Sequence, residues 1–296
     1  MLEGNYNHDY FKRSMVMAIQ QTYDDNLKHI HVLSYGGGTQ STALLLMALN
    51  GEINGVIPDF IIFSDTGWEN QRTYDWVEKV NEYIKKKYNR EIIITQNGNL
   101  REDLLQAAVS GERVASIPFF TKDGQGQKGL VRRQCTKEYK IIPVTKEIRK
   151  QLGYQPRTRV KEMVHLWKGI STDEIQRAKP LPDRWITAEH PLIDIMDVDR
   201  SGCISYVENT GLGTPEQSSC VGCPYHSNAF WKEMKTKHPG DWADAIEVDN
   251  AIRSMSRFKT TLYLHRSCVP LEDIEFGGDQ TTIDDFINEC EGMCGN

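Results

Sequence analysis

The sequence has no cysteine before Cys135, no apolar run of membrane-spanning length and no surplus of positive charge. A spanning helix needs about 20 consecutive apolar residues, so no membrane partner is expected. Residues 1–10 are polar and acidic, unlike a secretory signal, and the expected location is the cytoplasm. A net charge of −6 excludes a surface that attracts nucleic acid everywhere and leaves room for a local basic patch. Internal repeats and low-complexity tracts are absent, as are a Walker A lysine and a GxGxxG run. Seven cysteines are an odd number, and in a reducing compartment they read as metal ligands or reactive thiols rather than disulfides. What is present is ordinary for a globular protein: 296 residues, 39% hydrophobic and 26% charged, enough to bury a full core.

Along the chain, residues 9 to 28 have the pattern of a helix. His29-Ile30-His31-Val32-Leu33-Ser34 then forms a short β-rich run that stops at three glycines, and Ser41 to Leu49 is a strong helix former ending at Asn50-Gly51. Asp59 to Ser64 is a buried-type strand, 70 to 87 an amphipathic helix, and Glu91 to Thr95 a third strand. Alternating β and α elements predict an α/β fold, a Rossmann-like doubly wound parallel sheet. Residues 111 to 136, with Gly124, Gly126 and Gly129 among Lys122, Lys128, Arg132 and Arg133, read as a mobile basic loop. A helix is expected from Ile142 to Gln151, and a strand over Val164 to Ile170. Beyond about residue 180 the chain looks Cys-rich and irregular, which suggests a nucleotide-binding domain over 1–180 and a Cys-rich C-terminal region over 181–296.

A glycine loop between a strand and a helix start suits phosphate. Glycines let the backbone approach the anion, and the helix dipole adds positive potential. Here Gly36, Gly37 and Gly38 supply the approach, and Ser41 and Thr42 supply hydroxyls. A plain tight turn is the alternative.

Ser34-Tyr35-Gly36-Gly37-Gly38-Thr39-Gln40-Ser41 resembles the pyrophosphate loop, SGGxDS, of the N-type ATP pyrophosphatases, and within them the phosphoadenylyl-sulfate (PAPS) reductase family. Gly36 and Gln40 stand where that loop has Ser and Asp. Asp65-Thr66-Gly67-Trp68-Glu69 is similar to the family's DTG segment, which faces the nucleotide. Arg133-Gln134-Cys135-Thr136, with Lys137 and Lys140, resembles its CT…YK segment. Gly169 to Glu174, with Arg177, resembles its GIRxDES…R motif, with Ser171 at the Arg position. The resemblance spans roughly residues 30 to 235. It implies an adenine nucleotide, ATP or a PAPS/APS-like one, held by Ser34, residues 36 to 42, Asp65, Thr66, Gly67, Glu69, Gly169 and Arg177. Asp65, at the sheet's carboxyl edge, could orient Mg²⁺ or a ribose hydroxyl, with a helix N-cap as its alternative role. Arg132, Arg133, Lys137 and Lys140 suit a polyanionic substrate, with a solvated charge run as the alternative.

Cys220-Val221-Gly222-Cys223-Pro224 brings two thiolates to one side of a tight turn, and Cys135 and Cys203 are the expected remaining ligands. Four thiolates suit a [4Fe–4S] cluster or zinc, and the resemblance tilts this toward iron. Cys135 has a competing use as a nucleophile, since basic neighbours favour its thiolate. The tail Glu289-Cys290-Glu291-Gly292-Met293-Cys294 is similar to the Glu-Cys-Gly tail that carries the nucleophilic cysteine of PAPS reductases, so Cys290 and Cys294 are catalytic candidates, although their acidic neighbours disfavour the thiolate. Cys268 reads as structural, and Phe230, Trp231, Trp242 and Tyr225 as a small core around the metal site.

Three functions follow. An adenylating enzyme would activate a substrate oxygen with ATP and let sulfur displace AMP, with a nucleic-acid component or a sulfur-donor protein as partner. A reductase would release sulfite through a tail thiol. A non-enzymatic iron–sulfur nucleotide sensor is the third reading. A homo-oligomeric state is expected.

Overall fold

The computed structural model describes residues 26–214 and 218–276. The expected helix over 9 to 28 and the tail thiols Cys290 and Cys294 lie outside these residues.

A five-stranded sheet runs in the order β3-β2-β1-β6-β7, built from β1 (His29–Tyr35), β2 (Phe60–Asp65), β3 (Ile93–Gln96), β6 (Met163–Lys168) and β7 (Ile186–Glu189). Every pairing is parallel. Both faces are covered. On one lie α1 (Thr39–Leu49), α2 (Gln71–Tyr88) and α6 (Arg200–Asn209), whose apolar side chains join Leu33, Tyr35 and Trp167 of the sheet. On the other, Val144 and Ile148 of α4 (Ile142–Gln151) meet Ile30, Val32, Ile62, Val164 and Leu166. This is the doubly wound α/β architecture. The chain leaves β1 toward β2 and returns on the other side through β6, so the strand order reverses between them. Ligands bind in the crevice at such a reversal, outside the carboxyl ends of the strands.

Local chemistry explains the boundaries. All eleven residues of α1 are buried, which suits a run that is apolar nearly all round. It stops at Asn50, and Gly51 takes φ +80°, a left-handed conformation that costs glycine little. Helix α2 begins where the Asn70 side chain accepts from the Thr73 N–H at 2.8 Å, which satisfies one of the open first-turn donors.

Three expectations are corrected. Residues 111 to 136 are not loop throughout. They carry the hairpin β4 (Phe120–Lys122) and β5 (Lys128–Leu130), which forms a three-stranded antiparallel sheet with β8 (Thr261–Tyr263). The turn is closed by Asp123, whose carboxylate accepts from the N–H groups of Gln125 and Gln127, while Phe119 is fully buried and packs edge-on to Phe258. The α/β core also passes the expected boundary at 180, because β7 completes the sheet, the short α5 (Pro191–Asp194) follows it, and α6 packs on α1. Finally, the later chain is more regular than its composition suggests. Helices α7 (Asn228–Lys237) and α8 (Pro239–Ile252) build a second apolar cluster with α3 (Leu100–Ser110), since Trp231, Met234, Ala245, Val248 and Ile252 recur at helical spacing.

The carboxyl end of β6 meets the start of α1 with no space to spare. A Cβ on Gly169 would lie 2.6 Å from the backbone N and Cα of Ser41, atoms that cannot turn aside. Gly169→Ala is expected to destabilise the chain by about 1–3 kcal/mol, the usual cost of overpacking, read as a lowered melting temperature. An unchanged melting temperature would contradict this packing.

Candidate functional site

The glycine loop opens at the strand-order reversal. Gly37 takes φ +76°, and a Cβ there would lie 3.1 Å from Val77 and 3.2 Å from Thr73, so both conformation and space call for glycine. Gly38 is the N-cap of α1, and the Ser41 hydroxyl donates to its carbonyl at 3.1 Å and accepts from its N–H at 3.2 Å. Thr42 donates to the same carbonyl at 2.8 Å and also meets Tyr35 and Trp76. Both hydroxyls therefore hold the loop in shape. Backbone amides and the helix dipole give the loop further means of binding an anion. Thr39 and Ser34 are buried beside it.

Gln40, which stands at the family's Asp position, is fully buried, and its amide donates to Ser171 Oγ at 3.4 Å and Glu174 Oε2 at 3.2 Å. Arg177 pairs with Glu174 at 2.6 Å. Arg177 thus reaches the loop through Glu174 and Gln40. Lys168, not singled out from the sequence, is buried at the end of β6 beside Ser34. It is a cation at the carboxyl end of β6, one of the two strands flanking the reversal, and its signal was a charge interrupting an apolar strand just before a glycine. Burial and the Lys168 charge push His190, at the end of β7, down to about 4, so that imidazole is neutral at pH 7.

The DTG turn is built around two carboxylates with different roles. Asp65 accepts from the Gly67 N–H at 2.7 Å and the Tyr74 hydroxyl at 2.8 Å. Burial, with the Asp65 bond and charge, drives the Tyr74 phenol well above its usual range, so it stays a donor. The N-cap of α2 is Asn70, which removes the capping alternative for Asp65. The Glu69 side chain has 0% exposure, and Lys140, at 10%, lies 3.2 Å from Glu69 Oε1. Thr66 Oγ1 donates to the same oxygen at 3.0 Å, and the Cys220 thiol lies 3.6 Å from it. Lys140 is thereby corrected from a substrate-facing cation to the partner of a buried acid, because an unanswered carboxylate there would be costly.

The CxxC segment is laid directly on this turn. Cys220 bridges Glu69 in antiparallel fashion, Val221 N–H donates to the Trp68 carbonyl at 2.8 Å, and Asn70 binds the Ser219 carbonyl through its backbone and side chain. The Ser218 hydroxyl donates to the carbonyl of Gly36 at 2.7 Å, which ties the segment to the glycine loop as well. A Cβ on Gly222 would lie 1.9 Å from the Trp68 ring, so the turn can close over that indole only with glycine. His226, unassigned from the sequence, donates from Nε2 to the carbonyls of Cys220 and Val221 at 2.9 and 3.1 Å and stacks on Phe230.

Cys135 completes the group. It precedes a π-helix, Thr136–Ile141, a rare element found often at functional sites. It lines one pocket with Cys220 and Cys223, walled by Trp68, Leu100, Ile117 and Pro224 and bordered by Thr66, Arg133 and Lys140. Arg133 lies over the Tyr225 ring, and Arg132 and Lys137 are exposed. Phe230, Trp231 and Trp242 form the core behind the pocket. Cys203 is not part of this group. It is fully buried on α6 within the apolar cluster of α1, and its expected role as a fourth ligand is corrected to core packing. Cys268 is buried against β4, with its thiol 3.6 Å from the Thr121 carbonyl.

Residues 30–155 match the family model of the phosphoadenosine phosphosulfate reductase domain. No curated protein matches the chain in sequence. Among solved structures it is similar to the U34-tRNA thiolase NcsA from Methanococcus maripaludis with its [4Fe-4S] cluster, at 12% identity and a TM-score of 0.37, over 90% of this chain and 80% of that one. That likeness is too distant to bear on the chemistry.

If Glu69 is held by Lys140, removing one partner strands a buried charge. Lys140→Met is expected to cost about 3–5 kcal/mol in urea unfolding, and the double variant with Glu69→Gln to recover most of it. A loss below about 1 kcal/mol for the single variant would mean that the pair is solvated.

Proposed function

We propose, on the premise that residues 30–155 are a phosphoadenosine phosphosulfate reductase domain, that the chain is an ATP-dependent adenylating enzyme that transfers sulfur to a nucleic-acid component. One observation carries this reading: the CxxC segment is hydrogen-bonded both to the glycine loop, through Ser218 and Gly36, and to the DTG turn, through Glu69 and Cys220. Thiols held this way lie beside the place where a nucleotide's phosphates would sit.

In this reading the first amides of α1 and the Lys168 charge receive the β- and γ-phosphates. An oxygen of the acceptor attacks the α-phosphorus, the α–β bridge breaks, and pyrophosphate leaves. Sulfide then attacks the activated carbon, and AMP departs with the oxygen. No electrons are gained or lost overall. Asp65 stands at the carboxyl edge of β2, fixed by Gly67 and Tyr74, where it can hold Mg²⁺ or a ribose hydroxyl. Exposed Lys122, Lys128, Arg132 and Lys137 give the acceptor's phosphates a basic approach.

Cys135, Cys220 and Cys223 suit a [4Fe–4S] cluster by chemistry: three soft thiolates around one pocket, with Arg133 at its border to offset the anionic charge. Cys135, Cys220 and Cys223 would hold such a group, which would supply a binding place for sulfide beside the nucleotide. The chain's own part is to exclude water with Trp68, Leu100 and Ile117 and to fix the thiols through Glu69 and His226.

The test is pyrophosphate release from ATP by anaerobically purified protein, given sulfide and RNA. Release that depends on the acceptor, with iron and product both lost in Cys135→Ser, Cys220→Ser or Cys223→Ser but retained in Cys203→Ala, is the expected outcome. Sulfite release from PAPS, abolished by Cys290→Ser or Cys294→Ser, would instead establish the reductase. A colourless zinc protein would remove the cluster from the account.

A further inference from the structure

The glycine loop does not use the other end of the sheet, where a second set of ligating side chains meets. The two-residue period of β1 puts His29 and His31 on one face, and the β1–β6 register sets His31 directly beside His165. Glu189 closes β7 next to Trp167, one pleat further along. One ligand atom from each of His31, His165 and Glu189 falls within 4.8 Å of the other two. His31 and His165 stack with ring centroids 4.6 Å apart.

Each group is already oriented from behind. His165 Nε2 lies 2.7 Å from His29 Nδ1, while its Nδ1 faces Glu189 Oε1. The second carboxylate oxygen of Glu189 accepts from the Trp167 indole N–H at 2.9 Å, and the backbone of His31 is tied to Asp59. Metal-binding histidines and carboxylates are held as His165 and Glu189 are here, with the far atom of the ligand engaged by an outer partner.

An imidazole nitrogen and a carboxylate oxygen in contact need a cation between them, either a proton or a metal ion. His31 decides between the two. Its Nδ1 is buried and makes no hydrogen bond, and a buried polar atom left so is the exception in folded proteins. A proton shared by His165 and Glu189 gives His31 no partner, whereas an ion ligated by all three does. We propose that His31, His165 and Glu189 bind one divalent transition-metal ion of the zinc type, with His29 and Trp167 orienting the ligands.

Two imidazoles and one carboxylate form a borderline donor set suited to zinc, with a fourth position left for water. Drawing the three atoms onto one ion needs only small rotations, since ligands at about 2.0–2.1 Å from zinc stand roughly 3.4 Å apart. The Glu189 side chain is 26% exposed, so an ion can enter from solvent. His31 lies five residues before Gly36, about 16 Å along the strand, which separates this ion from the thiol pocket. Its role is to clamp β1, β6 and β7 together.

The experiment adds Co²⁺ to the chelator-treated full chain and follows its visible absorption, with zinc-edge X-ray absorption on the unmodified zinc-loaded protein. Sulfur-to-cobalt charge transfer marks ions on the cysteines, and its absence marks ions on nitrogen and oxygen. The expected result is one ion per chain with nitrogen and oxygen ligands, bound at least tenfold more weakly in His31→Asn and in Glu189→Gln, together with a zinc-dependent rise in melting temperature that both variants lose. If the unmodified chain binds no ion through nitrogen and oxygen, or if both substitutions leave affinity unchanged, the cluster is an imidazole–carboxylate pair sharing a proton and the proposal fails. The absorption measurement needs no variant and decides the matter even if the substitutions impair folding.

Discussion

The Glu69 carboxylate is shut off from water, and burying it is costly unless a cation and donors come to it. They arrive from separate parts of the chain: Thr66 from its own turn, Lys140 from the π-helix, and the Cys220 thiol from a segment about 150 residues downstream. The π-helix matters here. It follows Cys135 directly and carries Lys140 to Glu69 Oε1, so the element that answers this oxygen begins beside a thiol lining the same pocket as the CxxC. The cost of burying one acid thus ties the DTG turn, the π-helix and the Cys220 thiol together.

The same logic links this cluster to the glycine loop. The strand order reverses between β1 and β6, which opens the crevice, and Gly169 closes its floor against Ser41. Ser218 carries the CxxC segment across to Gly36, and Gln40, Ser171, Glu174 and Arg177 brace the loop from the other side. The thiols and the loop therefore belong to one hydrogen-bonded assembly, and a displacement of the loop would be felt at Cys220 through Ser218 and Ser219.

The fold was largely legible because its signals are local. Apolar runs separated by glycine and helix-forming stretches announced the parallel sheet, and the DTG and CxxC segments announced the site. The misread parts depend on distant partners. Nothing around Lys140 says that its counter-ion lies 71 residues earlier, and nothing around Cys203 distinguishes a ligand from a core thiol until α6 is seen on α1. The hairpin at 120–130 looked like a loop because its strands are short and its order comes from β8, far along the chain. The histidine cluster had a local sign, His29-Ile30-His31 at strand spacing, but its third and fourth members sit on β6 and β7, and only the register brings them together.

The proposed function requires that Cys135, Cys220 and Cys223, and not Cys203, hold a single iron–sulfur group against the glycine loop. Anomalous diffraction at the iron edge, from anaerobic crystals grown with a non-hydrolysable ATP analogue, tests it most directly. The account predicts one iron peak bounded by those three sulfurs, with the analogue's phosphates over Gly36 to Gly38. Iron ligated by Cys203, or phosphates bound away from the glycine loop, would contradict it.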